Sequence, residues 1–116
     1  MQTRIRAEIP EKIKVILNTY KEQDIEFNEI NDHFNVRLHK LGINKKALIR
    51  TILKADSLVF VGISKSKNIR FNYIYDLFFE FNNIILKIPT SIKPKSLYLI
   101  TIFKIERMED EAKKYE

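Results

Sequence analysis

Between Ile69 and Phe81 every odd position is apolar (Ile69, Phe71, Tyr73, Tyr75, Leu77, Phe79, Phe81), while Arg70, Asn72, Asp76 and Glu80 fall between them. Side chains on a strand alternate between faces, so this period marks a long strand with one apolar face. Such a face must be buried against a second layer. Asn82-Asn83 reads as a hairpin turn because Asn tolerates positive φ, and Ile84–Ile88 as the returning strand, with an exposed edge able to recruit another strand. Leu58–Val61 reads as a short strand, Gly62–Asn68 as a basic loop and Pro89–Pro94 as a second loop. Leu97–Ile105 is apolar on both faces and is expected at the sheet centre. The tail from Glu106 is charged and is expected to be a frayed helix.

Upstream the period is helical. Pro10 suits a first helical position, and Ile9, Ile13, Ile16, Leu17 and Tyr20 recur at helical spacing, predicting a helix over 10–22. Asn31 or Asp32 is expected to cap a second helix with Phe34, Leu38 and Leu41 inward and Gly42 as its left-handed stop. Asn44 is expected to cap a third, with Leu48, Ile49, Ile52 and Leu53 inward. The expected fold is α+β, with two to three N-terminal helices packed on a three- to four-stranded antiparallel sheet whose other face is free. At 116 residues it is read as one domain, with a helical addition over 1–30, a helix-helix-sheet core over 31–105 and a charged tail over 106–116.

Several chemistries are excluded by residue type. The chain has no Cys, which removes thiol nucleophiles and thiolate metal sites. Its two histidines, His33 and His39, are six apart and point to different sides of one helix, so no metal site is expected and His39 is read as structural. The two glycines, Gly42 and Gly62, make no phosphate-binding loop, and no cofactor is expected. No apolar run approaches the length of a membrane span and the N-terminus lacks the apolar core of a signal peptide, so the expected location is cytoplasmic, with no membrane partner.

The net charge of +6 is unevenly placed. Residues 1–34, 35–70 and 71–116 carry −2, +8 and 0. The middle segment holds Arg37, Lys40, Lys45, Lys46, Arg50, Lys54, Lys65, Lys67 and Arg70 against Asp56 alone. Lys46, Arg50 and Lys54, spaced by four, form the outward stripe of the third helix. A solvated helix face explains such a stripe; a footprint for the phosphates of RNA or DNA explains it together with Lys40, Lys65, Lys67 and Arg70.

Four-residue spacing puts His33 and Arg37 on one face of the second helix, beside Lys40. A histidine beside a permanent cation suits metal-free RNA cleavage, the imidazole moving a proton of the 2′-hydroxyl or of the leaving oxygen and Arg37 stabilising the charged transition state. The stretch HFNVRLHKLGINKKALIRTIL (His33–Leu53), then Asp56-Ser57-Leu58-Val59, then YLITIFK (Tyr98–Lys104), resembles the pattern of the barnase/EndoU/colicin/RelE-like (BECR) superfamily. The resemblance covers about residues 33–105. It implies a metal-independent endoribonuclease of the toxin–antitoxin kind, with a cognate antitoxin or other protein as partner. Carried over, His33 and Arg37 match the helical pair, and Thr101 and Lys104 match polar positions of the last strand. An odd separation puts Thr101 and Lys104 on opposite faces of a regular strand, so one site requires a bulge between them. A non-catalytic nucleic-acid-binding protein and a protein-interaction module are the other readings.

Overall fold

Asn82 and Asn83 both take positive φ, 47° and 66°, as a two-residue hairpin requires. They join β4 (Tyr73–Phe81) to β5 (Ile84–Lys93). This hairpin is the centre of the fold. The computed structural model describes residues 2–66 and 73–115, and among these it is α+β, with four helices and a seven-stranded, mostly antiparallel sheet. The sheet runs β1 (Gln2–Glu8), β3 (Leu58–Ser66), β4, β5, β6 (Ser96–Leu99), β2 (Ile25–Phe27), and β7 (Phe103–Ile105) continues β6 along β5. Among the described residues only β2 and β6 pair in parallel.

The sheet is therefore larger than the three or four strands expected. β1 escapes a search for apolar alternation because Ile5 is its one large apolar residue, set between Arg4 and Arg6; it pairs with β3 and extends that strand through Gly62–Ser66, where a loop is expected. Lys67 and Asn68 of that expected loop lie outside the described residues. β5 likewise runs past Ile88 and contains Pro89. It is bonded to β4 on one side and to β6 and β7 on the other, so Ile84–Ile88 offers no exposed edge.

Three helices, α1 (Pro10–Leu17), α2 (His33–Leu41) and α3 (Lys45–Lys54), cover one side of the sheet. Leu17, Phe34, Leu48 and Ile52 meet Leu77, Phe79, Leu86, Ile88, Leu97 and Leu99 in a single core. α1 stops short of the expected 10–22 because Asn18 turns away: its Nδ2 donates to the carbonyls of Leu53 at 2.8 Å and Lys54 at 3.0 Å, capping the end of α3. Gly42 ends α2 with φ 67°, and the Asn44 side chain accepts from the Ala47 N–H at 3.0 Å at the start of α3, both as expected. Asp32 does stand at the N-cap position of α2, but in the left-handed region with no side-chain cap; its carboxylate accepts from Asn35 Nδ2 at 2.8 Å instead.

The opposite face of the sheet is not free. α4 (Met108–Lys113) crosses it and Tyr115 is inserted beneath. Ile74, Asp76 and Phe78, on the even face of β4, are consequently as buried as Leu77 and Phe79 on the odd one. Lys87 is 6% exposed and pairs with Glu111 at 3.5 Å. Burial pulls its ammonium below the ordinary lysine value, although Asp76 and Glu111 act the other way. Burial, then the Asp76 carboxylate, pushes the Tyr115 phenol up. No helix among the described residues is long and apolar enough to cross a membrane.

Candidate functional site

β6 and β7 are one strand interrupted by a bulge. Thr90 pairs with Leu99 and Lys87 with Phe103, so four steps on the outer strand match three on β5. The extra residue leaves the stretch 100–102 without regular pairing, opposite Pro89, which has no N–H to offer. The Ile100 N–H still reaches the Pro89 carbonyl at 2.9 Å. The outward carbonyls need partners from elsewhere.

Those partners come from the segment leading into α2. Asn28 donates its backbone N–H to the Leu99 carbonyl at 3.0 Å and its Nδ2 to that of Ile100 at 3.2 Å. The Asn28 Oδ1 accepts the Ile30 N–H at 3.1 Å, forming a local turn. Asn31 and Asp32 both follow in the left-handed region, each with φ 54°, a conformation non-glycine residues hold only when their surroundings enforce it. This tight path delivers His33 to the bulge. Its Nε2 lies 2.7 Å from Thr101 Oγ1. One turn on, Arg37 donates Nε to the Ile102 carbonyl at 3.0 Å and sets its guanidinium carbon 4.8 Å from the Phe103 ring centroid.

His33, Arg37 and Thr101 are thus brought together, across 65 and 68 residues of chain. Lys104 is not. The bulge reverses the strand's parity and puts Lys104 on the Leu86 side of the sheet, yet its ammonium pairs with Glu106 at 3.9 Å and lines a separate cleft with Arg107, Asp110 and Glu111. Asn28 belongs to the site and is missed in the sequence, since a lone Asn before a helix carries no signal of a partner 72 positions away.

An open groove of about 410 Å³ lies over the cluster, lined by Asn28, Ile30, Asn31, His33, Val36, Arg37 and Lys40. His33 and Arg37 are half-buried and Lys40 is exposed. With Nε2 and Nε occupied, the imidazole Nδ1 and both terminal guanidinium nitrogens have no hydrogen bond among the described residues. Chemically the groove offers one titratable ring held by a hydroxyl and two cations.

Lys46, Arg50 and Lys54 are all exposed on α3, and Lys65 is exposed on β3. The ion pairs among the described residues fall within residues 6–12 and 87–114, so no cation between Arg37 and Lys65 is neutralised by a carboxylate at contact distance. Lys45 instead binds Asn35 Oδ1 at 3.2 Å and sits 4.2 Å from the Phe27 ring centroid, holding α2 to α3. Lys67, Arg70 and Phe71 lie outside the described residues. Tyr75 packs against the core, whereas Tyr73, 55% exposed, stands opposite Lys65 on the sheet. His39 is exposed at the end of α2. No group of three or more His, Asp or Glu suited to a metal occurs among the described residues. Comparison with family models, with curated proteins and with solved structures finds no match to this chain.

Proposed function

We propose that this protein acts on RNA, holding the phosphate backbone along α2 and α3 and cleaving it without a metal in the groove beside His33. The observation that carries the reading is the absence of ion pairing across the described part of the basic segment: Arg37, Lys40, Lys46, Arg50, Lys54 and Lys65 keep their charge available, whereas every ion pair among the described residues lies in the flanks. Neutralising phosphates with such side chains releases counterions, a favourable and salt-dependent contribution.

In this reading Thr101 fixes the imidazole by its Nε2 and leaves Nδ1 for proton transfer. The ring accepts the 2′-hydroxyl proton as that oxygen attacks phosphorus and the P–O5′ bond breaks, and a proton is returned from the ring or from water to the departing 5′-oxygen, leaving a 2′,3′-cyclic phosphate and a 5′-hydroxyl. Arg37, steadied through Nε, presents its two terminal nitrogens to the phosphate oxygens. Lys104 takes no part in this reading, because it lines a separate cleft beside Glu106. His33→Ala is expected to abolish cleavage of a single-stranded RNA in the presence of a chelator while leaving binding within about twofold. Equal cleavage by wild type and variant removes the catalytic assignment.

One observation favours a second reading, a nucleic-acid-binding protein that does not cleave. His33 and Arg37 each already serve the fold by closing the bulge. Both readings require Lys46→Ala/Arg50→Ala/Lys54→Ala to flatten the dependence of log affinity on log salt by about 2 on single-stranded RNA, since each phosphate contact contributes about 0.7. An unchanged slope overturns both.

A further inference from the structure

The face of the sheet turned away from α1–α3 carries a cluster that RNA cleavage does not use. Gly62 stands in the middle of β3, where a missing side chain weakens a strand and marks a close approach. What approaches is Tyr115: a Cβ on Gly62 would overlap its ring. The Arg4 guanidinium carbon lies over that ring at 5.9 Å from the centroid. Phe60 and Phe78 wall it at 5.7 and 6.2 Å, with interplanar angles of 53° and 83°. The slot is thus shaped for a planar ring, with a backbone floor and a cationic roof.

Its inner end is a carboxylate. Asp76 is fully buried; its Oδ2 accepts from Tyr115 Oη at 2.5 Å and from Ser64 Oγ at 2.7 Å. Oδ1 is buried with no partner among the described residues, an arrangement that costs free energy. Tyr115 fills the slot in shape but brings one donor to two oxygens. Tyr115 itself is 3% exposed, but α4, which precedes it, has only six residues, none of them buried, and no side-chain N-cap.

We propose that this slot is a binding site for guanine, as a free nucleotide or as a base of single-stranded RNA, and that Tyr115 is a resident occupant which guanine displaces. Guanine is planar and carries N1–H and N2–H side by side, one donor for each oxygen of Asp76. Adenine and cytosine offer an acceptor next to their amino group, and uracil flanks its single N–H with two carbonyls, so each brings a lone pair against the carboxylate. Arg4 stacks on the base as it now covers the phenol. Departure of the segment also releases Lys87 from Glu111, 3.5 Å away, to meet a phosphate.

The test is titration of the full chain with guanosine 5′-monophosphate and with the adenosine, cytidine and uridine counterparts. Guanosine monophosphate is expected to bind at least tenfold more tightly than the others. Tyr115→Ala, which removes the competitor, is expected to tighten it about tenfold further, because an occupied slot lowers apparent affinity by the open fraction. Asp76→Asn is expected to erase the preference. Should either variant fail to fold, hydrogen exchange on the wild type gives the answer: guanosine monophosphate is expected to speed exchange over 108–115 and leave α1–α3 unchanged. Equal binding of all four nucleotides, no binding of either guanosine monophosphate or a guanine-containing tetranucleotide, or exchange over 108–115 that ignores whichever of these two binds, overturns the proposal. Tight binding of a guanine-containing tetranucleotide without binding of the mononucleotide assigns the site to RNA, and binding of both assigns it to the base itself; each supports the slot. The inference stands apart from the basic face, because guanosine monophosphate binding should survive in Lys46→Ala/Arg50→Ala/Lys54→Ala even if RNA binding through those residues fails.

Discussion

Arg37 can be asked whether it serves the fold, the ligand or both. Removing it as Arg37→Ala deletes a charge-assisted hydrogen bond to the Ile102 carbonyl at 3.0 Å and a guanidinium contact with Phe103 at 4.8 Å. A hydrogen bond from a charged donor contributes about 1.5–3 kcal/mol when shielded. The groove is open, so a solvent-weakened value at and below the low end of that range, about 1–2 kcal/mol, applies. The cation–π contact adds about 0.5–1 kcal/mol at a partly exposed site. The expected loss is therefore about 1.5–3 kcal/mol, read as a lowered urea midpoint at unchanged slope, or roughly 4 °C of melting temperature per kcal/mol. Arg37→Lys keeps the charge without the fork and should lose most of the same stability. Lys40→Ala is the control: this neighbour is exposed and has no partner among the described residues, so its stability should stay within about 0.5 kcal/mol of wild type while RNA binding weakens. If Arg37→Ala and Lys40→Ala unfold at the same urea concentration, the bulge does not depend on Arg37 and the account of how β6 meets β7 is wrong.

Other perturbations follow from the same contacts. Gly62→Ala forces a methyl into the Tyr115 ring; the segment over 108–115 should lift, with a loss of about 1–3 kcal/mol and faster hydrogen exchange confined to that segment. Asn44→Ala removes the cap of α3 and should cost about 1 kcal/mol in chemical denaturation. The Tyr115 phenol titrates above its ordinary value in the folded protein, so above pH 10 the folded state retains a proton that the unfolded state releases. Stability should then fall with rising pH, by at most about 1.4 kcal/mol per unit. Lys87, lowered by burial, works in the opposite direction up to its unfolded value. Comparing wild type with Tyr115→Phe across pH 9–12 isolates the tyrosine, and identical slopes would show that the phenol is not held as described.

The features legible in the sequence are those with local causes. The Asn82-Asn83 turn, the stop at Gly42, the cap at Asn44 and the inward stripes of α2 and α3 all depend on neighbours within a few residues. The pairing of His33 with Arg37 is equally local, being one helical turn. Thr101 joins them only through a bulge, which leaves no pattern of its own in an apolar run such as Leu97–Ile105. Asp76 shows the converse. Alternation marks it as solvent-facing, yet it is buried because α4 and Tyr115 return across the sheet, and a period of two says which side a residue faces without saying whether that side is covered. β1 and β2 pair with β3 and β6, dozens of residues away, and their own stretches are too charged or too short for alternation to reveal.

The bulge has a bearing on solubility as well. Unsatisfied strand borders are templates on which other chains polymerise, and a seven-stranded sheet has long borders to protect. Here one border is β1, with Arg6 and Glu8 joined at 2.9 Å along it. At the other, β2 and β7 have three residues each, and between β6 and β7 the carbonyls of Ile100 and Ile102 are already taken by Asn28 and Arg37. Loosening those two side chains would bare both acceptors beside Phe103. Variants at Asn28 and Arg37 should therefore show self-association and slow precipitation at high concentration before they show any loss of helix content.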